Sequence, residues 1–169
     1  MTDQDVIAAE IVERQPQPTA AVRVQQPMAE LDLAAAFDQY MPSVAKAITE
    51  AGAEIGGPPY GRYHRFGPDV VDVEIGFPVA SAPSGMPALA GSAPGEVGRS
   101  ELPGGPVART TYVGSYDGLG GVYDRLHEWI HAQPGYDDGA GAWESYLDMP
   151  GDGPGGEPRT EIVWPLVRE

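Results

Sequence analysis

The stretch EIGFPV at residues 74–79 returns as EIVWPL at residues 161–166, and the fold is read outward from this echo. In both copies an acidic residue opens an apolar run that closes on proline, and the alternation is that of a half-buried strand. Working back from each copy, Tyr60-Gly61-Arg62-Tyr63 matches Trp143-Glu144-Ser145-Tyr146, and Gly52 matches Gly135. Before each glycine lies an apolar stripe at helical spacing. Ala34, Phe37, Met41, Val44 and Ile48 predict a helix over residues 31–51, and Leu119, Val122, Leu126, Trp129 and Ile130 predict a second. Gly52 and Gly135 are the expected helix stops. Strands are predicted over residues 19–24, 61–66 and 70–77, where Val71, Val73, Ile75 and Phe77 alternate, and again over residues 107–113, 142–147 and 160–166.

The order is strand, helix, strand, strand, given twice: an α+β chain built from a duplicated β-α-β-β unit. Each unit has one apolar helix face and one half-buried sheet, and neither buries both alone. The expectation is therefore a single domain of half-units spanning about 11–79 and 100–167, with antiparallel sheets packed on two helices. Pseudo-two-fold symmetry would leave a groove on the axis, a usual place for a ligand. The 23 glycines and 18 prolines are not spread evenly: clusters stand out over residues 80–98, within a linker over 80–99, and over 150–158, and both read as mobile loops.

Charge narrows the partners. With 25 acidic residues against 10 basic ones the net charge is −15, which repels a phosphate backbone and argues against nucleic acid or an anionic membrane. Cationic or amphipathic small molecules suit that field better. The absence of cysteine excludes disulfides and thiolate chemistry. No apolar run approaches a membrane span, and residues 1–10 do not read as a signal peptide, so a cytoplasmic setting is expected.

Taken together, Tyr112-Val113-Gly114-Ser115-Tyr116, Trp143-Glu144-Ser145-Tyr146 and Ile162-Val163-Trp164-Pro165-Leu166 resemble the GyrI-like small-molecule-binding family. That family includes effector-binding domains of multidrug-responsive transcription regulators and standalone proteins of similar size. The resemblance covers about residues 11–167 and implies a pocket with the acidic residue of the penultimate strand, here Glu144, at its bottom among aromatic rings. Its counterpart in the first half is Gly61, which breaks the repeat at one position. No DNA-binding helix-turn-helix accompanies the resemblance, so transcriptional control does not carry over.

Read from the residues alone, Glu144 is either a surface glutamate flanked by core aromatics or a pocket carboxylate beside Tyr146. In the second case burial would make its charge seek a cation or a donor, and rings would add cation–π attraction. Tyr63, Tyr112, Trp164 and Phe77 are the further ligand-binding candidates, each of them also a natural core residue. His127-Glu128-Trp129-Ile130-His131 is a literal H-E-x-x-H. Two such histidines share a helix face and could hold zinc if Glu144, Glu157 or Glu161 supplied a third ligand. The apolar stripe through Leu126, Trp129 and Ile130 instead makes two solvated histidines the expectation, with no metal and no cofactor. His64 stands in a strand with no nucleophile motif near it, and Asp137-Asp138 reads as a solvated loop.

Three functions follow. A binding module would hold a hydrophobic or cationic amphipathic molecule against Glu144 for sensing, sequestration or protection. A hydrolase of cyclopropane-containing toxins, an activity the resemblance implies for some standalone members, would use Glu144 to activate water and Tyr146 to polarise the substrate. A protein-interaction domain, one protecting a topoisomerase for example, is the third; the sequence names no protein partner.

Overall fold

The computed structural model describes residues 8–30, 32–66, 68–81, 83, 85–89, 95–114, 118–139, 141–148 and 156–168. Eleven elements are named in chain order. They are β1 (Ala9–Arg14), β2 (Gln17–Pro27), α1 (Leu33–Glu50), β3 (Tyr60–Phe66), β4 (Val70–Pro78) and β5 (Gly98–Leu102). β6 (Gly105–Val113), α2 (Leu119–His131), β7 (Tyr136–Asp138), β8 (Trp143–Tyr146) and β9 (Arg159–Arg168) follow. The chain divides into a first unit, Pro16–Pro103, and a second, Gly104–Glu169 together with Met1–Gln15.

In the first unit the strands run antiparallel in the order β3-β4-β2-β5. Val22, Val24, Val71, Val73 and Ile75 project from one face and pack with Val44 and Ile48 of α1. That is the stripe expected from helical spacing meeting the strand alternation. Asp32 caps α1 by accepting from the Ala35 amide at 3.0 Å. Gly52 closes it with φ of 73°, while the Ala53 amide reaches Ile48 O and the Gly52 amide reaches Thr49 O, both at 3.0 Å. This is a Schellman stop, which favours glycine because L side chains resist that conformation.

In the second unit β1 pairs with β6, β6 with β9, and β9 with both β8 and β7, all antiparallel. Leu119, Val122, Leu126 and Ile130 of α2 bury against Ala108, Ile162 and Leu166. Here the helix ends at His131, before Gly135, which turns the chain toward β7.

Duplication is visible in the register itself. Tyr60, Gly61 and Tyr63 oppose Gly76, Ile75 and Val73. Their repeat partners Trp143, Glu144 and Tyr146 oppose Val163, Ile162 and Thr160 in the same order.

Three strands go beyond the sequence reading: β1, β5 and β7. Two of them end their strand orders and the third has three residues, so an apolar alternation is hardly required of them. β5 also corrects the view of residues 80–98 as a mobile loop. Met86 and Leu89 are buried, the Arg99 amide donates to Pro87 O at 2.8 Å, and Arg99 Nε donates to Met86 O at 2.9 Å. A Cβ at Gly98 would stand 2.6 Å from Leu89 Cα, so this glycine permits close packing. Residues 82, 84, 90–94 and 149–155 of the two glycine- and proline-rich stretches lie outside the described residues.

Candidate functional site

Residues directly opposite in an antiparallel ladder share a face, so β6, β9 and β8 set two rows of side chains beside α2. One row is Tyr112, Thr160 and Tyr146; the next is Thr110, Ile162 and Glu144. Because Ile162 belongs to the core packed with α2, Glu144 points to that face as well and is only 3% exposed. Tyr123 of α2 donates its hydroxyl to Glu144 Oε2 at 3.0 Å, and Tyr146 donates to Oε1 at 3.3 Å. The Trp164 ring meets Tyr123 edge-on, with centroids 6.0 Å apart. Thr160 is fully buried, and its Oγ1 has no hydrogen-bond partner among the described residues. A carboxylate taken out of water favours a cation or a strong donor, and here two phenol hydroxyls donate to it.

A second buried carboxylate occupies the first unit. Glu74 lies on β4 between Val73 and Ile75, so its side chain leaves the sheet on the face opposite the one packed with α1. It is 2% exposed. Tyr60 donates to Glu74 Oε2, His64 Nε2 stands 3.0 Å from Oε1, and Thr19 Oγ1 is 3.0 Å from the Tyr60 hydroxyl. Burial pushes the Glu74 carboxyl up, but hydrogen bonds from His64, Tyr60 and Ser100 outweigh it and hold the group below its ordinary value. Burial raises the Tyr60 hydroxyl well above the usual tyrosine range, reinforced by the Glu74 charge. Beside them Arg23 forks onto Asp72, its Nε at 2.8 Å from Oδ1, and Gln25 adds a bond at 3.2 Å.

The sequence profile of the GyrI-like small-molecule-binding domain matches residues 8–167. The chain belongs to the GyrI-like family. Among solved structures, the EcmrR C-terminal domain superposes with a TM-score of 0.74 at 20% identity, covering 97% of this chain and 99% of that one. Against the EcmrR chain of the EcmrR–DNA complex the TM-score is 0.73 at 21% identity, covering 96% of this chain, which spans only 58% of that one. A hydrolase from Listeria innocua gives 0.63 at 12% identity, covering 94% and 91% of the two chains. SAV2435 bound to tetraphenylphosphonium gives 0.60 at 11%, covering 95% and 94%. At these identities the likeness establishes the duplicated α+β fold. No curated protein sequence matches the chain. Among the described residues no helix is long and apolar enough to cross a membrane.

Of the residues singled out from sequence, the GyrI-like fold gathers Glu144, Tyr146, Tyr112 and Trp164 in the second unit, on one sheet face. Tyr63 and Phe77 belong to the first unit and pack against the core under α1. Ser115 and Tyr116 lie outside the described residues. Tyr123, Thr160 and the Glu74 cluster were not singled out as site residues. Tyr123 was legible, since 119, 123, 126 and 130 follow the same three-and-four spacing as the stripe. A recess of about 150 Å³ lined by Ala8, Thr110, Tyr112, Val122 and Arg125 does not include Glu144. It is smaller than the roughly 300–1,000 Å³ a drug-sized ligand needs.

Proposed function

We propose that this GyrI-like chain captures hydrophobic or amphipathic cations, with Glu144 as counter-charge and Tyr146, Tyr123, Tyr112 and Trp164 as aromatic surround. The observation carrying this reading is the Glu144 carboxylate, 3% exposed and engaged by two phenol hydroxyls. A lipophilic cation gains Coulomb and cation–π attraction there and loses little hydration, because its charge is spread. The net charge of −15 raises the local concentration of cations. SAV2435, a structural neighbour of the same fold, is bound to tetraphenylphosphonium. Sensing, sequestration and protection all begin with this capture step.

The test is calorimetric titration of tetraphenylphosphonium and of neutral triphenylphosphine oxide into wild type and Glu144→Gln. Loss of the charge should weaken the cation by about tenfold to a hundredfold, the equivalent of one charge-assisted contact. The neutral compound should change little. Equal affinity of both proteins for tetraphenylphosphonium sinks the assignment.

A hydrolytic reading uses the same geometry, because one carboxylate and two phenols within hydrogen-bond reach provide a base and two proton donors. Water activated by Glu144 would attack a cyclopropane carbon, the ring bond would open, and the released electron pair would take a proton. A cyclopropane compound recovered with the mass of one water added, by wild type but not by Glu144→Gln, supports this reading. Recovery of the compound unchanged from wild type counts against it.

A further inference from the structure

His127 and His131 lie one turn apart on α2, and their ring centroids are 4.3 Å from each other. β7 brings a carboxylate to the pair, placing Asp138 Oδ1 2.7 Å from His131 Nε2 and 3.5 Å from His127 Nε2. One ligand atom from each of the three residues falls within 4.8 Å of the others. Donors around a tetrahedral zinc ion, at about 2.0–2.2 Å from the metal, stand about 3.3 Å apart. The His127–Asp138 separation is already near that value. The His131–Asp138 pair needs to open by about half an ångström, which side-chain rotation supplies.

We propose that His127, His131 and Asp138 bind one late first-row transition-metal dication, tying α2 to β7. Two imidazoles and one carboxylate suit zinc, nickel or copper and discriminate against magnesium and calcium, which prefer oxygen ligands. Both histidines are about half exposed, 46% and 51%, so an ion has an entry path and water can complete its coordination. This arrangement departs from the expected pair of solvated histidines and from Asp137-Asp138 as a solvated loop, because β7 pairs with the end of β9 and fixes Asp138 against α2. It also replaces the third ligands considered from sequence: Glu144 is engaged by Tyr123 and Tyr146, and Glu161 pairs with Arg14 and Arg109.

The site has supports of its own. The His127 ring stacks on Trp164 with centroids 5.4 Å apart and planes at 29°. Trp164 Nε1 in turn donates to Gly139 O at 2.9 Å, next to Asp138. Outer partners of this kind fix ligand orientation before the metal arrives.

Zinc chloride titrated calorimetrically into the full, tag-free chain tests the proposal. Wild type should bind one zinc per chain. His131→Ala and Asp138→Asn should each weaken that binding at least about tenfold, since even outer partners of a metal site contribute that much. His64→Ala, which removes the one histidine outside the cluster, should leave it unchanged. Because the three ligands are surface groups, circular dichroism should show both ligand variants folded, and Asp138→Asn carries the test if His131→Ala does not fold. Binding of equal strength in wild type and Asp138→Asn, or zinc uptake lost with His64→Ala instead, overturns the site.

Discussion

Replacing Tyr60 by phenylalanine removes one oxygen from a fully buried ring and leaves its packing in place, so the variant isolates the hydroxyl. That hydroxyl donates to Glu74 Oε2. It stays a donor at any ordinary pH, because burial and the Glu74 charge raise its pKa. A hydrogen bond to a charged group contributes about 1.5–3 kcal/mol, and the carboxylate oxygen left behind is buried. For a chain of 169 residues this corresponds to a fall in melting temperature of about 3 to 12 °C. The pH dependence has a definite sign. Glu74 is held below its ordinary value, so its contribution is complete above the usual carboxylate range and is lost as pH falls through the lowered value. Tyr60→Phe deletes one of the bonds opposing burial, so the variant protonates at higher pH than wild type. The stability gap should be widest near neutrality and narrow in acid. Urea unfolding of both proteins in neutral and mildly acidic buffers measures it. A difference under about 0.5 kcal/mol at neutrality, within the ordinary range of surface substitutions, or a gap that widens on acidification, would refute the role given to the hydroxyl.

Gly76→Ala should destabilise by about 3 kcal/mol, measured by urea midpoint, because the new Cβ meets the Ala20 carbonyl oxygen and lies 2.6 Å from Ala21 Cβ. A neutral outcome would mean that β2 and β4 can part there without cost. Arg23→Met should cost about 1–2 kcal/mol at neutral pH, since it strips a partly exposed fork from Asp72. Arg23, then Gln25, hold the Asp72 carboxyl below its ordinary value against burial, so this difference too should shrink as pH falls through that lowered value. A difference independent of pH would assign the effect to packing of the arginine stem.

The repeat was legible because it rests on patterns that packing enforces on both halves. Val71, Val73, Ile75 and Phe77 alternate because one face of β4 meets α1, and Leu119, Val122, Leu126 and Ile130 recur because one face of α2 meets its sheet. Glu144 was legible through a resemblance and through the break in the repeat opposite Gly61. Glu74 was not, since both faces of β4 are covered from Val71 to Gly76 and a glutamate inside an apolar run gives no sign of which groups await it. Its partners come from Tyr60 and His64 on β3, next to a bulge between Tyr63 and Arg65 that composition does not announce. Asp138 was misread for a similar reason: a three-residue strand carries no periodicity.

Comparing equivalent rows in the two units shows where polar chemistry was admitted. Under α1 the rows are Val24, Val73 and Tyr63, then Val22, Ile75 and Gly61. Beside α2 the same positions hold Tyr112, Thr160 and Tyr146, then Thr110, Ile162 and Glu144. Across these rows three valines give way to a tyrosine and two threonines, and a glycine gives way to a glutamate. On the other face the exchange runs in reverse: Glu74 is buried on a tyrosine and a histidine, while its counterpart Glu161 reaches Arg14 and Arg109. Polar groups beneath a helix oppose stability unless something satisfies them, and a buried hydroxyl without a partner costs about 1–3 kcal/mol. The first unit shows that this backbone accepts an apolar filling at the same positions. A polar filling beside α2 is therefore not demanded by the fold, and the cation capture proposed above would give Glu144 and its hydroxyl neighbours a use that the apolar filling under α1 lacks.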